Sequence, residues 1–198
     1  MGRSGRPETA RDGGGTLSTT IAVFGSSEPL PGEGAYAVAE RVGFLLGGAG
    51  YTVVTGGYGG VMAAASQGAR AAGGRTIGVT CATFAERAPN PYLSEVREGA
   101  DLHDRTRRLI DLSAGFVVLE GKAGTLAELA FLWALQRAGC LGTRPVILLG
   151  NSYRDLIPVL ERSMILEPEQ LERTRLVASP EEVLQAIDRA TGRETASR

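Results

Sequence analysis

The chain is 198 residues long, and 21 Lys+Arg against 22 Asp+Glu with one His give a formal net charge of -1. That length is one domain at about 100–200 residues per domain, and 43% hydrophobic residues supply a sizeable core. The balanced charge excludes a partner gripped through bulk positive charge, whether nucleic acid or an anionic membrane surface. No apolar run reaches the ~18 residues of a membrane helix, and no apolar core follows Arg3 and Arg6 as a signal peptide requires. Cys81 and Cys140 stand far apart with no CxxC spacing and no His cluster. They are expected as reduced thiols of a cytoplasmic protein, with neither a disulfide framework nor a metal site. The 28 glycines, without a repeat, imply tight turns and backbone brought close to something.

Residues 1–17 are rich in Gly, Arg and Thr with little to bury, and a disordered leader is expected there. TTIAVFG (19–25) reads as a buried strand ending in Gly-Ser-Ser. Val38, Val42, Leu45, Leu46 and Ala49 recur at helical spacing, with Gly47, Gly48 and Gly50 as the stop. TVVTG (52–56) is a second strand, Val61, Ala65, Ala69 and Ala72 mark a second helix, and RTIGVT (75–80) is a third strand. Residues 81–100, with Pro89 and Pro91, read as irregular. Leu102, Leu109 and Leu112 mark a helix with its Leu residues toward the core. GFVVL (115–119) is a strand, 123–138 a long helix and PVILL (145–149) a strand. Helices near 152–163 and at 181–191 finish the chain, the second with Ser179 as N-cap and Pro180 at its first position. A frayed tail is expected over 193–198, leaving one folded domain over 18–192.

Short apolar strands alternating with helices predict an α/β fold, a Rossmann-like doubly wound parallel sheet in a single domain. Such sheets take ligands at the carboxyl ends of their strands. The helix at 123–138 is apolar nearly all round, which fits burial between the sheet and a partner subunit; a fully enclosed core helix is the alternative.

Three strand-end loops carry candidate ligand groups. Gly25-Ser26-Ser27 turns amides and hydroxyls toward an anion or a ribose. Gly56-Gly57-Tyr58-Gly59-Gly60-Val61-Met62 opens a helix, where unpaired N–H groups face an anion. Its spacing is not the GxGxxG of dinucleotide sites, and tight helix–sheet packing alone would also explain its glycines. Gly121-Lys122-Ala123-Gly124-Thr125 forms an anion nest at a helix start without the Gly-Lys-Ser/Thr ending of a Walker A loop. Glu128 lies one turn further along that helix, either beside a bound phosphate or as a first-turn answer to the helix dipole. In Asp101-Leu102-His103-Asp104-Arg105-Thr106-Arg107-Arg108, Arg105 falls beside the Leu seam while Arg107 and Arg108 point outward. On spacing alone this is also a solvated charge run.

Together, Gly25-Ser26-Ser27, Gly56-Gly57-x-x-Gly60-Val61-Met62, His103-Asp104-Arg105 and Gly121-x-x-Gly124-Thr125-x-x-Glu128 resemble the LOG ("lonely guy") family over roughly residues 19–150. The resemblance implies a Rossmann-like dimer that cleaves nucleoside 5'-monophosphates, AMP or cytokinin ribotides, into free base and ribose 5-phosphate. It implies Arg105 and Glu128 as the catalytic pair. The substrate would fall on Gly25, Ser26, Ser27, Gly56, Gly57, Gly60, Met62, Gly121, Lys122, Gly124 and Thr125, with no cofactor and no metal. The expected partners are a phosphorylated small molecule and a second copy of the chain, or a higher homo-oligomer.

Several positions depart from the family's PGGxGTxxE loop. Glu120 stands where it has Pro, Lys122 where it has the second Gly and Ala127 where it has the first of two Glu. Thr106 replaces the Lys that follows the Arg. Molybdenum-cofactor carrier proteins share the same Gly-rich blocks and bind a phosphorylated pterin without turning it over. Retention of Arg105 and Glu128 favours a hydrolase, and the altered loop favours a carrier or nucleotide sensor.

Overall fold

The computed structural model describes residues 10–11, 17–163 and 166–193. Most of the expected leader, and residues 194–198 of the expected tail, lie outside them. Two short strands, β1 (Ala10–Arg11) and β2 (Leu17–Ser18), pair antiparallel. Seven further strands form one parallel sheet: β3 (Thr20–Phe24), β4 (Thr52–Thr55), β5 (Thr76–Cys81), β6 (Glu95–Gly99), β7 (Gly115–Leu119), β8 (Val146–Leu149) and β9 (Thr174–Val177). Their spatial order is β6-β5-β4-β3-β7-β8-β9. The α/β, doubly wound single-domain expectation holds. Among the described residues no helix is long and apolar enough to cross a membrane.

Strand side chains alternate between the two faces, so each strand feeds two cores. Ile21, Val23, Val53, Val117 and Ile147 face a cluster closed by α1 (Gly34–Gly48), α2 (Val61–Ala71) and α7 (Pro180–Thr191). Ala22, Phe24, Val54, Phe116, Val118 and Leu148 face one closed by α3 (Leu102–Asp111), α4 (Ala123–Arg137) and α5 (Ser152–Arg162). Ser179 caps α7 by accepting from Glu182 N, with Pro180 at its first position, as its sequence dictates. Arg193 lies over the Tyr51 ring and donates to Ala49 O.

Three elements escape their sequence pattern. β6 runs through the stretch expected to be irregular, because an edge strand tolerates the charges of Glu95, Arg97 and Glu98 that hide its period. α6 (Pro168–Arg173) and the other edge strand, β9, are short and polar. The glycines of α1 also differ from expectation. Gly47 and Gly48 are the last residues of the helix, and Gly50, with φ +79°, follows its C-cap Ala49. Its buried stripe is Tyr36, Ala39, Val42, Gly43, Leu46 and Gly47, while Val38 and Ala49 are exposed. The small residues on that stripe let α2 approach backbone to backbone.

A Cβ on Gly43 would stand 2.0 Å from Ala65 O, and one on Gly68 would stand 1.9 Å from Glu40 O. Ala at either position gains helix propensity but forces the helices apart, so Gly43→Ala and Gly68→Ala are each expected to lose about 1–3 kcal/mol. Gly48, whose added Cβ meets only the Ala72 methyl at 3.8 Å, should instead gain up to about 1 kcal/mol as Ala. Urea midpoints of the three variants check both signs.

Candidate functional site

The direction of chain progression reverses between β3 and β7, and the loops that follow β3, β4 and β7 meet there. Ser26 ties them together. Its amide donates to Glu120 O at 3.2 Å, its carbonyl accepts from Val61 N at 2.8 Å, and its Oγ accepts from Glu28 N at 3.2 Å. This contact requires glycine at Gly60, where φ is +64° and a Cβ would lie 2.3 Å from Ser26 O. The loops enclose a cavity of about 490 Å³, whose walls also include α3 and the first turns of α4.

Arg105 enters the cavity from α3 and is 7% exposed. Its Nε donates to Val79 O at 2.9 Å, its Nη2 contacts Met62 Sδ at 3.8 Å, and its guanidinium lies 5.8 Å from the centre of the Tyr58 ring. Gly56 clears the space, since a Cβ there would sit 1.7 Å from Nη2. Across the cavity, Arg105 Nη1 stands 3.7 Å from Glu128 Oε1, an ion pair beyond hydrogen-bond length. Glu128 is 16% exposed on its side chain; burial pushes its carboxyl up to about 7, and Arg105 opposes that only in part.

The first helical bond of α4 runs from Leu126 N to Lys122 O. The amides of Ala123, Gly124 and Thr125 therefore have no acceptor within the helix, and they open beside the buried Thr125 side chain. Gly124 leaves that approach clear of any side chain. Lys122 has φ -92°, an ordinary backbone conformation, so its Cβ adds no strain where the resembled loop has Gly. Its Nζ pairs with Glu28 Oε1 at 2.6 Å across the cavity mouth. Glu120 turns away from the cavity and accepts from Ser152 N at 2.8 Å at the start of α5. That bond holds its carboxyl below the usual range.

Residues 18–184 match the SLOG cluster4 family. The chain belongs to it. It is 30% identical over 176 residues to the cytokinin riboside 5'-monophosphate phosphoribohydrolase of Mycobacterium tuberculosis, covering 84% of this chain and 92% of that protein. Among solved structures, it is similar to the molybdenum cofactor binding protein of Rippkaea orientalis, with TM-score 0.71 and 23% identity over 88% of this chain and 98% of that one. It is also similar to the molybdenum cofactor carrier protein of Chlamydomonas reinhardtii, with TM-score 0.69 and 22% identity over 88% and 99%. At those identities the two structures speak for the fold.

In this SLOG protein, Gly25, Ser26, Ser27, Gly56, Met62, Arg105, Lys122, Gly124, Thr125 and Glu128 line one cavity. Gly57, Gly60 and Gly121 do not. Gly57 packs on Gly78, Gly60 on the Ser26–Ser27 backbone and Gly121 on the Thr125 side chain, so they shape the wall from behind. Leu102 also departs from expectation: it is 48% exposed on the cavity wall, while Leu109 and Leu112 enter the core. The run is not uniformly solvated: Asp104 divides it. Asp104 takes Arg108 and Arg107, and Arg108 first, then the Ala100 amide, hold its carboxyl down at about 2, so Arg105 is left to the cavity. Sequence reasoning missed Tyr58, Phe84, Arg87 and Phe131 on the walls. Tyr58 lies within the Gly-rich block, and that position was the available signal.

A carboxyl raised in the folded state makes stability depend on pH in a fixed direction. Glu128 releases its proton near 4.5 when unfolded and at about 7 when folded, so its stabilising contribution is full below about 4.5 and lost as pH rises through about 7. Melting temperatures across pH 4.5–7.5 should fall more steeply for the native chain than for Glu128→Gln, and equal slopes would contradict this environment for Glu128.

Proposed function

We propose that this protein is a nucleoside 5'-monophosphate phosphoribohydrolase, which hydrolyses the N-glycosidic bond of AMP or a cytokinin ribotide to free base and ribose 5-phosphate. The observation that carries the reading is the buried Arg105–Glu128 pair, one helical turn beyond the open amides of α4 in the same cavity. Kinship with the mycobacterial phosphoribohydrolase supports it.

The phosphate is received by the amides of Ala123, Gly124 and Thr125 and by the Thr125 hydroxyl. Charge-assisted hydrogen bonds of this kind contribute about 1.5–3 kcal/mol each, and the helix dipole adds about 0.3–1 kcal/mol. Ser27 and Gly25 close the opposite wall. The ribose then lies over Glu128, one turn further along the helix.

Cleavage passes through an oxocarbenium-like ribosyl state. Ionised Glu128 stabilises the positive charge, binds the ribose hydroxyls and orients the attacking water. Water forms a bond to C1' and gives up a proton to solvent, the C1'–N bond breaks, and its electron pair leaves with the base. Arg105 favours the ionised form of Glu128, in part against the effect of burial, and hydrogen-bonds the ligand. The leaving base takes its proton from solvent or from His103, which stands exposed on the cavity wall.

A second copy of the chain covers α4 in this reading. Leu126 and Phe131 are 48% and 45% exposed there, beside exposed Ala127, Ala130 and Ala134. The two free cysteines fit the cytoplasm, where such nucleotides are made.

Incubation with AMP and a cytokinin ribotide, with free base and ribose 5-phosphate quantified, tests the activity. Base release is expected, and Glu128→Gln should lower it by about 100-fold or more. No release, with AMP or a pterin still raising the melting temperature, would leave a carrier or sensor.

The pH profile tests the mechanism. Because ionised Glu128 acts, kcat/KM should rise with pH and level off above about 7. Arg105→Met removes the cation that opposes the burial effect, so its residual activity should rise at higher pH than that of the native chain.

A further inference from the structure

The ion pair at the cavity mouth has a role in ligand choice, which rests on the phosphate reading above. Lys122 and Glu28 both line the cavity, and their side chains are 73% and 61% exposed, so burial commits neither to the other. Lys122 immediately precedes the three open amides of α4. Glu28 comes from the loop after β3, where its amide donates to Ser26 Oγ at 3.2 Å. The other carboxylate of the α4 loop, Glu120, is bound to Ser152 and does not reach the cavity. Glu28 and Glu128 are thus the two carboxylates on the cavity wall among the described residues, and Glu28 is the one paired with an exposed cation.

We propose that Glu28 is a specificity-determining residue that competes with the ligand for Lys122, so that a phosphate dianion displaces it and joins Lys122 while uncharged nucleosides and singly charged carboxylates do not. The exchange is close to balanced, because an exposed ion pair contributes little. A dianion at the head of α4 outcompetes one carboxylate for the ammonium, and Glu28 then turns into solvent away from like charge. A singly charged ligand has no such advantage and meets an ammonium already neutralised. Lys122 and Glu28 therefore act as a pair, and neither effect survives without the other.

Calorimetric titration of the full chain with ribose 5-phosphate tests this. Glu28→Gln is expected to tighten binding about threefold, the equilibrium worth of one exposed ion pair. Lys122→Met is expected to weaken it, and adding Glu28→Gln to Lys122→Met should change it little further. Glu28→Gln should also improve binding of a singly charged sugar acid, narrowing the preference for phosphate. Unchanged or weaker binding in Glu28→Gln overturns the proposal, as does an undiminished gain in the Lys122→Met background, which would be simple repulsion. Thr125→Ala separates the two layers. If it binds ribose 5-phosphate as the native chain does, the phosphate is not at α4 and the underlying reading fails; if it loses binding while Glu28→Gln is silent, only the competition fails.

Discussion

The site depends on burying the Arg105 guanidinium without fully neutralising it. A cation taken out of water needs compensation, and here it comes in parts: the Val79 carbonyl, the Met62 sulfur, the Tyr58 ring and a carboxylate just beyond hydrogen-bond reach. A bidentate pair with Glu128 would hold both groups in each other's grip. The 3.7 Å separation leaves Glu128 under-compensated, which is why burial raises its carboxyl and why the pair has hydrogen-bonding capacity for a third party. Gly56 and Gly99 make the arrangement possible, the first by clearing space for the guanidinium and the second by admitting the Arg105 backbone, whose nitrogen would lie 2.8 Å from a Cβ on Gly99.

The same economy of small residues sets the frame that holds the cavity open. Gly43, Gly47 and Gly68 draw α1 and α2 together behind the sheet, and α2 thereby presents its first residue to Ser26. One serine then joins its own loop to the end of β7 and the head of α2 through its amide and carbonyl, and braces that loop through its hydroxyl. A ligand at this junction meets backbone whose positions are already determined by the core, so little ordering remains to oppose binding.

How much of this was legible in the sequence follows from the range of the signal. β3, β4, β5, β7 and β8 are buried on both faces and read as apolar runs, whereas β6 and β9 lie at the sheet edges, where charge is tolerated and the run is lost. The glycines of α1 look like a helix stop from their neighbours alone; that they are a packing surface depends on α2, some twenty residues further on. Arg105 sits in a run that reads as a solvated face, and only the bonds of Asp104 to Arg107 and Arg108 show which arginine is left over. Four-residue spacing to the buried Leu109 was the local hint.

The departures from the resembled loop show how the proposed phosphate segment accommodates change in its own sequence. Glu120 brings a negative charge to an anion-receiving segment, but Ser152, 32 residues away, takes it at the start of another helix. Lys122 brings a side chain to a position whose φ of -92° suits any residue, and Glu28 answers its charge. Gly121 is different, because a Cβ there would stand 2.2 Å from Thr125 Oγ1, and the glycine is kept. Neither side chain blocks the open amides of α4, since Glu120 is bound at Ser152 and Lys122 at Glu28. What changes is the charge at the mouth, so the substitutions bear on which ligand is admitted more than on whether the α4 terminus can receive one.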